Sequence, residues 1–397
     1  MRSEKNSEYR KNWRISEMID RWLCHPFIGT LFFIGIIFLI VHISFSGLGA
    51  LLSRILARAF AFLLENAYIA LCKVGASEAL CRLLFLGVFR SVASVLACLP
   101  QTAILFSLFA ALNHSGYTSR AIFALDHVFR PIGLSGKAIL PLLMGFGCSV
   151  PAVLSASAID EKETVVYALS FIPCNAKLSV LTLIMSVFYE DHRAGVALFI
   201  YLACIAAALI SICLSSKQAP LSPPPKKLTP MKMPSLSDLR KEICISLKDY
   251  LVRAGTVVFL SSLVIVFFGS FTIRFTLAAS PSESMLSHFG NLFAPLFAPL
   301  GFGDGRLVAT LFSGMFAKET IVSSAEILIP EGLPSILTPA AALSFLVFSF
   351  TYAPCITTIC TMKNTLGVKW TMGCIIRSAI ISYVISYITY ALFLIFI

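Results

Sequence analysis

Three short segments put cysteine beside residues that break helices. Gly145-Phe146-Gly147-Cys148-Ser149-Val150-Pro151 is followed by Phe171-Ile172-Pro173-Cys174-Asn175-Ala176-Lys177, and Tyr352-Ala353-Pro354-Cys355 repeats the aromatic-x-Pro-Cys order. A proline inside a helix removes its own N–H and clashes with the carbonyl four residues back. On that rule Pro151 releases the carbonyl of Gly147, Pro173 that of Leu169, and Pro354 that of Phe350. Each released oxygen then lies near a thiol. Backbone oxygen with thiolate suits a borderline divalent metal. Because the ligand is the thiolate, binding is linked to proton loss. Taken singly, each cysteine reads as a small apolar packing group beside an ordinary kink. Cys148 and Cys174 together, each flanked by breaks, raise the functional reading to equal footing. The spacing predicts that they face one another across a polar break near mid-membrane.

Charges add to this set. Lys318 and Glu319 lie inside an apolar run. A charge at membrane depth costs roughly 3 kcal/mol on insertion scales and faces a cavity or a partner. A mutually neutralised or snorkelling pair is the plainer reading. Lys177 follows Cys174 by three residues and shares roughly one helix face with it. It would repel a cation held close by, so it reads as structural or gating.

Other chemistries find no support. The six His (25, 42, 114, 127, 192 and 288) show neither H-x-x-x-H nor H-E-x-x-H spacing, which argues against a hydrolytic zinc site. Gly133-Leu134-Ser135-Gly136-Lys137 lacks the upstream Gly and the following Ser/Thr of a phosphate loop. There is no Gly-x-Ser-x-Gly elbow. The twelve Cys include no C-x-x-C pair and lie mostly in apolar runs, so disulfides are not expected.

Composition decides what must position these residues. Charged residues are 13% of the 397 and AVILMFWYC are 58%, with 33 Phe. That excludes a soluble enzyme, a disordered chain and a secreted disulfide scaffold, and the long apolar runs exclude an outer-membrane barrel. The expected fold is an all-α polytopic membrane protein with about 8–10 transmembrane or re-entrant helices. The net charge of +11 concentrates in residues 1–26 and 215–253. The positive-inside rule puts both in the cytoplasm and the sparsely charged 271–306 outside. A nucleic-acid partner is not expected, because the basic residues sit in juxtamembrane loops.

Four regions follow: a cytoplasmic N-terminal helix at 1–26, a first membrane half at 27–214, a basic Pro-rich linker at 215–253, and a second membrane half at 254–397. Expected spans lie near 27–48, 84–112 (interrupted by Arg90 and Pro100), 138–158, 165–188, 194–214, 252–272, 307–329, 339–361 and 371–396. Residues 51–80 read as an in-plane amphipathic helix. Five full crossings before 215 would leave the basic linker outside, so one is incomplete or 51–80 crosses. Gly145, Gly147 and Pro151 make 138–158 the candidate, and broken helices mark transport sites. The two halves echo each other around their Gly-interrupted spans and Pro-Cys pairs, which predicts an internal duplication.

Gly116-Tyr117-Thr118-Ser119-Arg120-Ala121, Gly133-Leu134-Ser135-Gly136-Lys137, the block from Pro141 to Ala152, Ile172-Pro173-Cys174-Asn175-Ala176-Lys177-Leu178, Ala317-Lys318-Glu319-Thr320 and Tyr352-Ala353-Pro354-Cys355 together resemble the membrane domain of the bacterial ferrous-iron transporter family FeoB. Leu99-Pro100-Gln101 and Ile19-Asp20-Arg21 also fit, and the likeness runs from about residue 17 to the end. It implies two Gate repeats, an inner-membrane protein with a cytoplasmic N-terminus, and Fe²⁺ as cargo, with Mn²⁺ second and no permanently bound cofactor. It implies Cys148 and Cys174 in the metal path. It puts Cys355, Lys318 and Glu319 in the second Gate motif. Gly145, Gly147, Ser149, Pro151, Pro173, Asn175, Lys177 and Pro354 complete the path and its gating.

Two departures stand out. The family's cytoplasmic GTPase domain is not seen, so GTP hydrolysis, where needed, is expected from a separate small GTPase, beside a small SH3-like cytoplasmic partner. The acidic residues usual before the Gly-Tyr motif are here Asn113 and His114. His114 is the candidate imidazole ligand at the mouth of the path. Besides an Fe²⁺ or Mn²⁺ permease, the sequence leaves open a nucleoside-type Gate permease and a non-transporting membrane partner of a GTPase. A homo-oligomer also stays open.

Overall fold

The computed structural model describes residues 22–73, 85, 89, 93, 96–215, 236–272, 274, 276 and 280–396. Every regular element among these is helical. The N-terminal helix expected before residue 22, the Arg90 interruption and residues 216–235 of the linker lie outside them. Among the described residues, four helical stretches are long and apolar enough to cross a membrane: Pro26–Leu71, Arg193–Ser215, Pro339–Leu366 and Val368–Ile395. The chain is thus an all-α polytopic membrane protein.

The first part comprises α1 (Pro26–Phe45), α2 (Leu48–Lys73), α3 (Leu99–His114) and α4 (Tyr117–Phe129). His25 caps α1 by accepting from the amides of Phe27 and Ile28, and Pro26 opens the helix where its missing N–H costs nothing. α2 packs on α1 and α3. Pro100 does not interrupt a helix. It lies in the first turn of α3, which is the position a proline tolerates.

Then the helices break. α5 (Ile139–Gly147) and α6 (Ser149–Ala156) are separated by one extended residue, Cys148. The incomplete crossing expected over 138–158 is therefore two half-helices. α7 (Lys162–Leu169) and α8 (Asn175–Phe188) occupy the segment read as one span over 165–188. Its proline does not kink a helix but ends one. α9 (Arg193–Ser215) is an unbroken helix of 23 residues. The second half repeats this order. α10 (Leu236–Ser270) begins inside the basic segment, so much of 215–253 is helix continuous with the span expected at 252–272. α11 (Met285–Phe297) lies where an external loop was expected. Ser284 caps it, and its 13 residues are too few for a hydropathy window to register. α12 (Gly305–Phe316) and α13 (Thr320–Leu328) flank a break at 317–319. α14 (Pro339–Thr351) and α15 (Ile356–Leu366) flank a break at 352–355, and α16 (Val368–Phe396) closes the chain.

The correspondence extends to dihedral angles. Cys148 has φ −152° and ψ 132°, and its counterpart Ala317 has φ −149° and ψ 137°. Phe129-Arg130-Pro131-Ile132-Gly133 and Phe297-Ala298-Pro299-Leu300-Gly301 both form a 3-10 turn ending in a left-handed glycine, with φ of 83° and 88°. The repeats also exchange contacts. α6 packs on α15, and α13 packs on α8, so each of these half-helices rests on the helix that follows the Pro-Cys break of the other repeat. α14 is apolar or hydroxylated all round and buried along almost its whole length. A helix of that kind belongs at the centre of a bundle.

The α11–α12 hairpin depends on a backbone contact. A Cβ at Gly290 would lie 1.9 Å from the Gly305 carbonyl oxygen, which no side-chain rearrangement relieves. Gly290→Ala is expected to cost roughly 1–3 kcal/mol of stability through overpacking. Gly195→Ala, where nothing lies within 4 Å, should change nothing by that route. Melting of the detergent-solubilised variants checks both.

Candidate functional site: where four helix breaks meet

The four breaks converge. Gly145 packs against the side chains of Leu169 and Ile172, so the first break of repeat 1 lies on the second. Gly314 packs against Ile321 and the Tyr352 hydroxyl, which puts the two breaks of repeat 2 together in the same way. A Cβ at Gly314 would lie 2.4 Å from Ile321 Cγ1 and 2.6 Å from the Tyr352 hydroxyl, whereas at Gly145 it would meet the end of the Leu169 side chain at 2.9 Å. Lys177 then joins the repeats: its ammonium donates to the Phe350 carbonyl at 2.6 Å, to Ile172 at 3.1 Å and to Ser170 at 3.5 Å. Lys318 donates to the Ala353 carbonyl at 2.9 Å and sits 3.3 Å from the Tyr352 ring centroid. The Tyr352 hydroxyl in turn donates to the Leu311 carbonyl at 2.7 Å.

These bonds change the carbonyl account. Leu169, expected to be released by Pro173, accepts from the Ile172 amide at 3.2 Å. Phe350 does lose its helical partner, but Lys177 takes its oxygen. Pro151 lies in the first turn of α6, beyond the break at Cys148, so no continuous helix remains for it to disrupt. The freed oxygen atoms are thus at least partly in use by lysine. The break of repeat 2 is further held by hydroxyls. Thr320 Oγ1 donates to Ser313 and Ala317 carbonyls at 2.8 and 2.7 Å, and Ser313 and Ser324 hydroxyls pair at 2.7 Å.

The cysteines share one structural position. Cys148, Cys174 and Cys355 are the N-caps of α6, α8 and α15, and Glu319 is the N-cap of α13. Helix N-termini favour negative charge, and the thiolate is the metal-binding form of cysteine. All four residues are half-buried. Cys148 lies within electrostatic range of Cys355, Cys174 and Glu319, and Cys174 within range of Cys355, Glu319 and Lys177. Cys355 Sγ also contacts Thr358 Oγ1 at 3.1 Å. Among the described residues no group of three or more His, Cys, Asp and Glu side chains is close enough to hold a metal ion. The thiols border one region without closing on a point.

Sequence reasoning missed two neighbours. Cys98 is the N-cap of α3 and lies within electrostatic range of Glu319. Gln101, one turn later, accepts from Asn175 Nδ2 at 3.3 Å, which ties the start of α3 to the start of α8. The available signal was Pro100, which marks a helix start and so makes Cys98 a capping residue. Ser149 follows Cys148 at the start of α6, half-buried. Pro173 and Pro354 are buried directly before their cysteines. His114 is not part of this group. It is exposed at the far end of α3, about 22 Å along the helix from Leu99 at the standard helical rise.

Comparison with known proteins gives a consistent picture. The Gate family, described as nucleoside recognition, matches residues 95–189 and 251–369, one segment on each side of the linker. The chain is similar to the Fe(2+) transporter FeoB of Staphylococcus aureus strain MSSA476, at 31% identity over 94% of this chain and 59% of that protein. It is also similar to the Fe(2+) transporter FeoB of Methanocaldococcus jannaschii, at 29% over 94% of this chain and 58% of that protein. A third relative is an Fe(2+) transport protein A/Fe(2+) transporter FeoB fusion protein of Porphyromonas gingivalis, at 26% over 78% of this chain and 44% of that one. The chain spans about three fifths of the length of the first two. No solved structure matches it.

Removing the Lys318 ammonium leaves a buried carbonyl at Ala353 without its donor and the Tyr352 face without its cation. Lys318→Met is expected to lower stability by roughly 1–3 kcal/mol. Thermal melting in detergent measures it, and a melting point equal to wild type would count against the bond.

Proposed function

The chain belongs to the Gate family, and on that premise we propose that it is a ferrous-iron permease of the inner membrane, whose cargo passes along Cys148, Cys174 and Cys355. The observation that carries the reading is that these three cysteines and Glu319 all stand at helix N-termini within electrostatic range of Cys148. A conduction path needs several ligands that each bind weakly enough to release, not one closed site. Thiols at separate breaks meet that need. They also select soft or borderline metals over Mg²⁺ and Ca²⁺, which take oxygen ligands. Mn²⁺ is the second cargo. Gly145, Gly147, Ser149, Pro151, Pro173, Asn175 and Pro354 shape the path, and Lys177, Lys318 and Glu319 gate it.

The similarity to Fe(2+) transporters over nearly the whole chain supports iron. The protein A fusion in Porphyromonas supports a small cytoplasmic partner of that kind. A separate small GTPase is part of the same proposal, and no enzymatic step is assigned to these residues. The basic residues of 1–26 and 215–253 support a cytoplasmic N-terminus and linker. His114, at the far end of α3, fits a ligand at the mouth of the path. The family's nucleoside-recognition description favours one competing reading, a nucleoside carrier using Asn175 and Ser149. Under that reading the three capping thiols have no task.

Uptake into proteoliposomes separates these. Wild type should accumulate reduced Fe²⁺ ahead of Mn²⁺, Co²⁺ and Zn²⁺, and not labelled nucleoside. Cys148→Ser and Cys174→Ser should each reduce Fe²⁺ uptake roughly tenfold or more, equivalent to about 1.4 kcal/mol, while folding is kept because no void forms. Cys213, exposed on α9, is the control that should tolerate the change. Cys204 is a poorer one, since it is buried in the core and a serine there would bury a hydroxyl. Normal uptake by both Ser variants, or nucleoside uptake exceeding metal uptake, would sink the thiol-path reading.

A further inference from the structure

We infer that the Lys177 ammonium is a built-in occupant of an oxygen cage suited to a hard cation, and that by filling the cage it keeps such cations away from the neighbouring thiols. The cage is made of the backbone carbonyls of Ser170, Ile172 and Phe350, at 3.5, 3.1 and 2.6 Å from Nζ. An ammonium carries three N–H donors and no acceptor, so three carbonyls match it fully. The side chain is only 4% exposed, which leaves little room for water to share those oxygens. Two of the carbonyls belong to the break between α7 and α8. The third is the last-turn carbonyl of α14 that Pro354 deprives of a helical partner. Neither repeat makes the cage alone.

Rings of backbone carbonyls replace the hydration shell of K⁺ in channel filters, and Ca²⁺ is likewise held by oxygen. Three converging carbonyls are therefore the start of a hard-cation site. It stands beside Cys174, whose carbonyl accepts from the Lys177 amide at 3.0 Å. A soft-ligand path next to an open oxygen cage would admit two classes of ion. A tethered cation in the cage removes the second class by occupancy. Lys318 is not equivalent: it meets the Ala353 carbonyl and the Tyr352 ring face, which do not enclose a site. The selectivity role rests on the proposed metal path along the thiols, whereas the cage itself does not.

The test uses the full chain purified in detergent as wild type, Lys177→Ala and Lys177→Met. Each is melted in choline chloride and in KCl, NaCl or ammonium chloride at equal ionic strength. Lys177→Ala opens the cage, and K⁺ or ammonium should raise its melting temperature by about 5 °C over choline. Lys177→Met fills the volume without charge, so neither it nor wild type should shift. No cation-specific shift for Lys177→Ala, the same shift in all three proteins, or failure to recover Lys177→Ala in any of these salts would make Lys177 a structural strap and overturn the cage. A shift in Lys177→Ala without K⁺ entry into proteoliposomes would keep the cage and overturn the selectivity. None of these readouts uses iron, so a failure of the permease reading shows separately, in wild-type Fe²⁺ uptake.

Discussion

Backbone carbonyls at membrane depth must be paired within the protein, because no water is there to take them. Four helix breaks in one bundle multiply that demand. Lys177 answers much of it: one ammonium satisfies carbonyls from two breaks and two repeats. Lys318 does the same on a smaller scale for Ala353. The rest of the site follows from this division. Oxygen atoms exposed by breaking the helices are occupied by tethered cations, while the helix N-termini on the far side of each break are left to cysteine and glutamate. Hydrogen bonds to charged groups are worth about 1.5–3 kcal/mol each, enough to fix geometry that a kinked helix alone would leave soft.

Duplication explains why the arrangement is stable. A half-helix such as α6 or α13 is too short to hold itself by propensity, since isolated helices of that length are marginal. Each rests on the post-break helix of the other repeat, α15 or α8. The repeats have diverged in their charges. The residue after the extended break is Ser149 in one and Lys318 in the other, and the first turn after the Pro-Cys pair carries Lys177 in one and Thr358 in the other. One lysine from each repeat therefore bonds a carbonyl at or just before the break at 352–355, Lys177 at Phe350 and Lys318 at Ala353.

The sequence carried the breaks well. Gly and Pro spacing located the divisions at Cys148, Cys174 and Cys355, because those residues act through local backbone geometry. It misjudged what the breaks do. Treating each proline as a kink within one helix predicted an open carbonyl at Leu169, whereas α7 ends before Pro173 and a turn bond takes Leu169. Which lysine meets which carbonyl is set by pairing between residues 177 and 350, and no local pattern encodes that distance. α11 was missed because 13 residues with little charge look like an apolar loop. Cys98 was missed because its neighbourhood to Glu319 exists only in three dimensions.

The central claim is that thiol sulfur, not released backbone oxygen, is what the cargo meets. X-ray absorption at the iron edge of the purified protein loaded with Fe²⁺ tests it most directly. The account predicts sulfur among the nearest neighbours of iron, reduced in Cys148→Ser and in Cys174→Ser. A first shell of oxygen and nitrogen alone in wild type, unchanged in both variants, would contradict it.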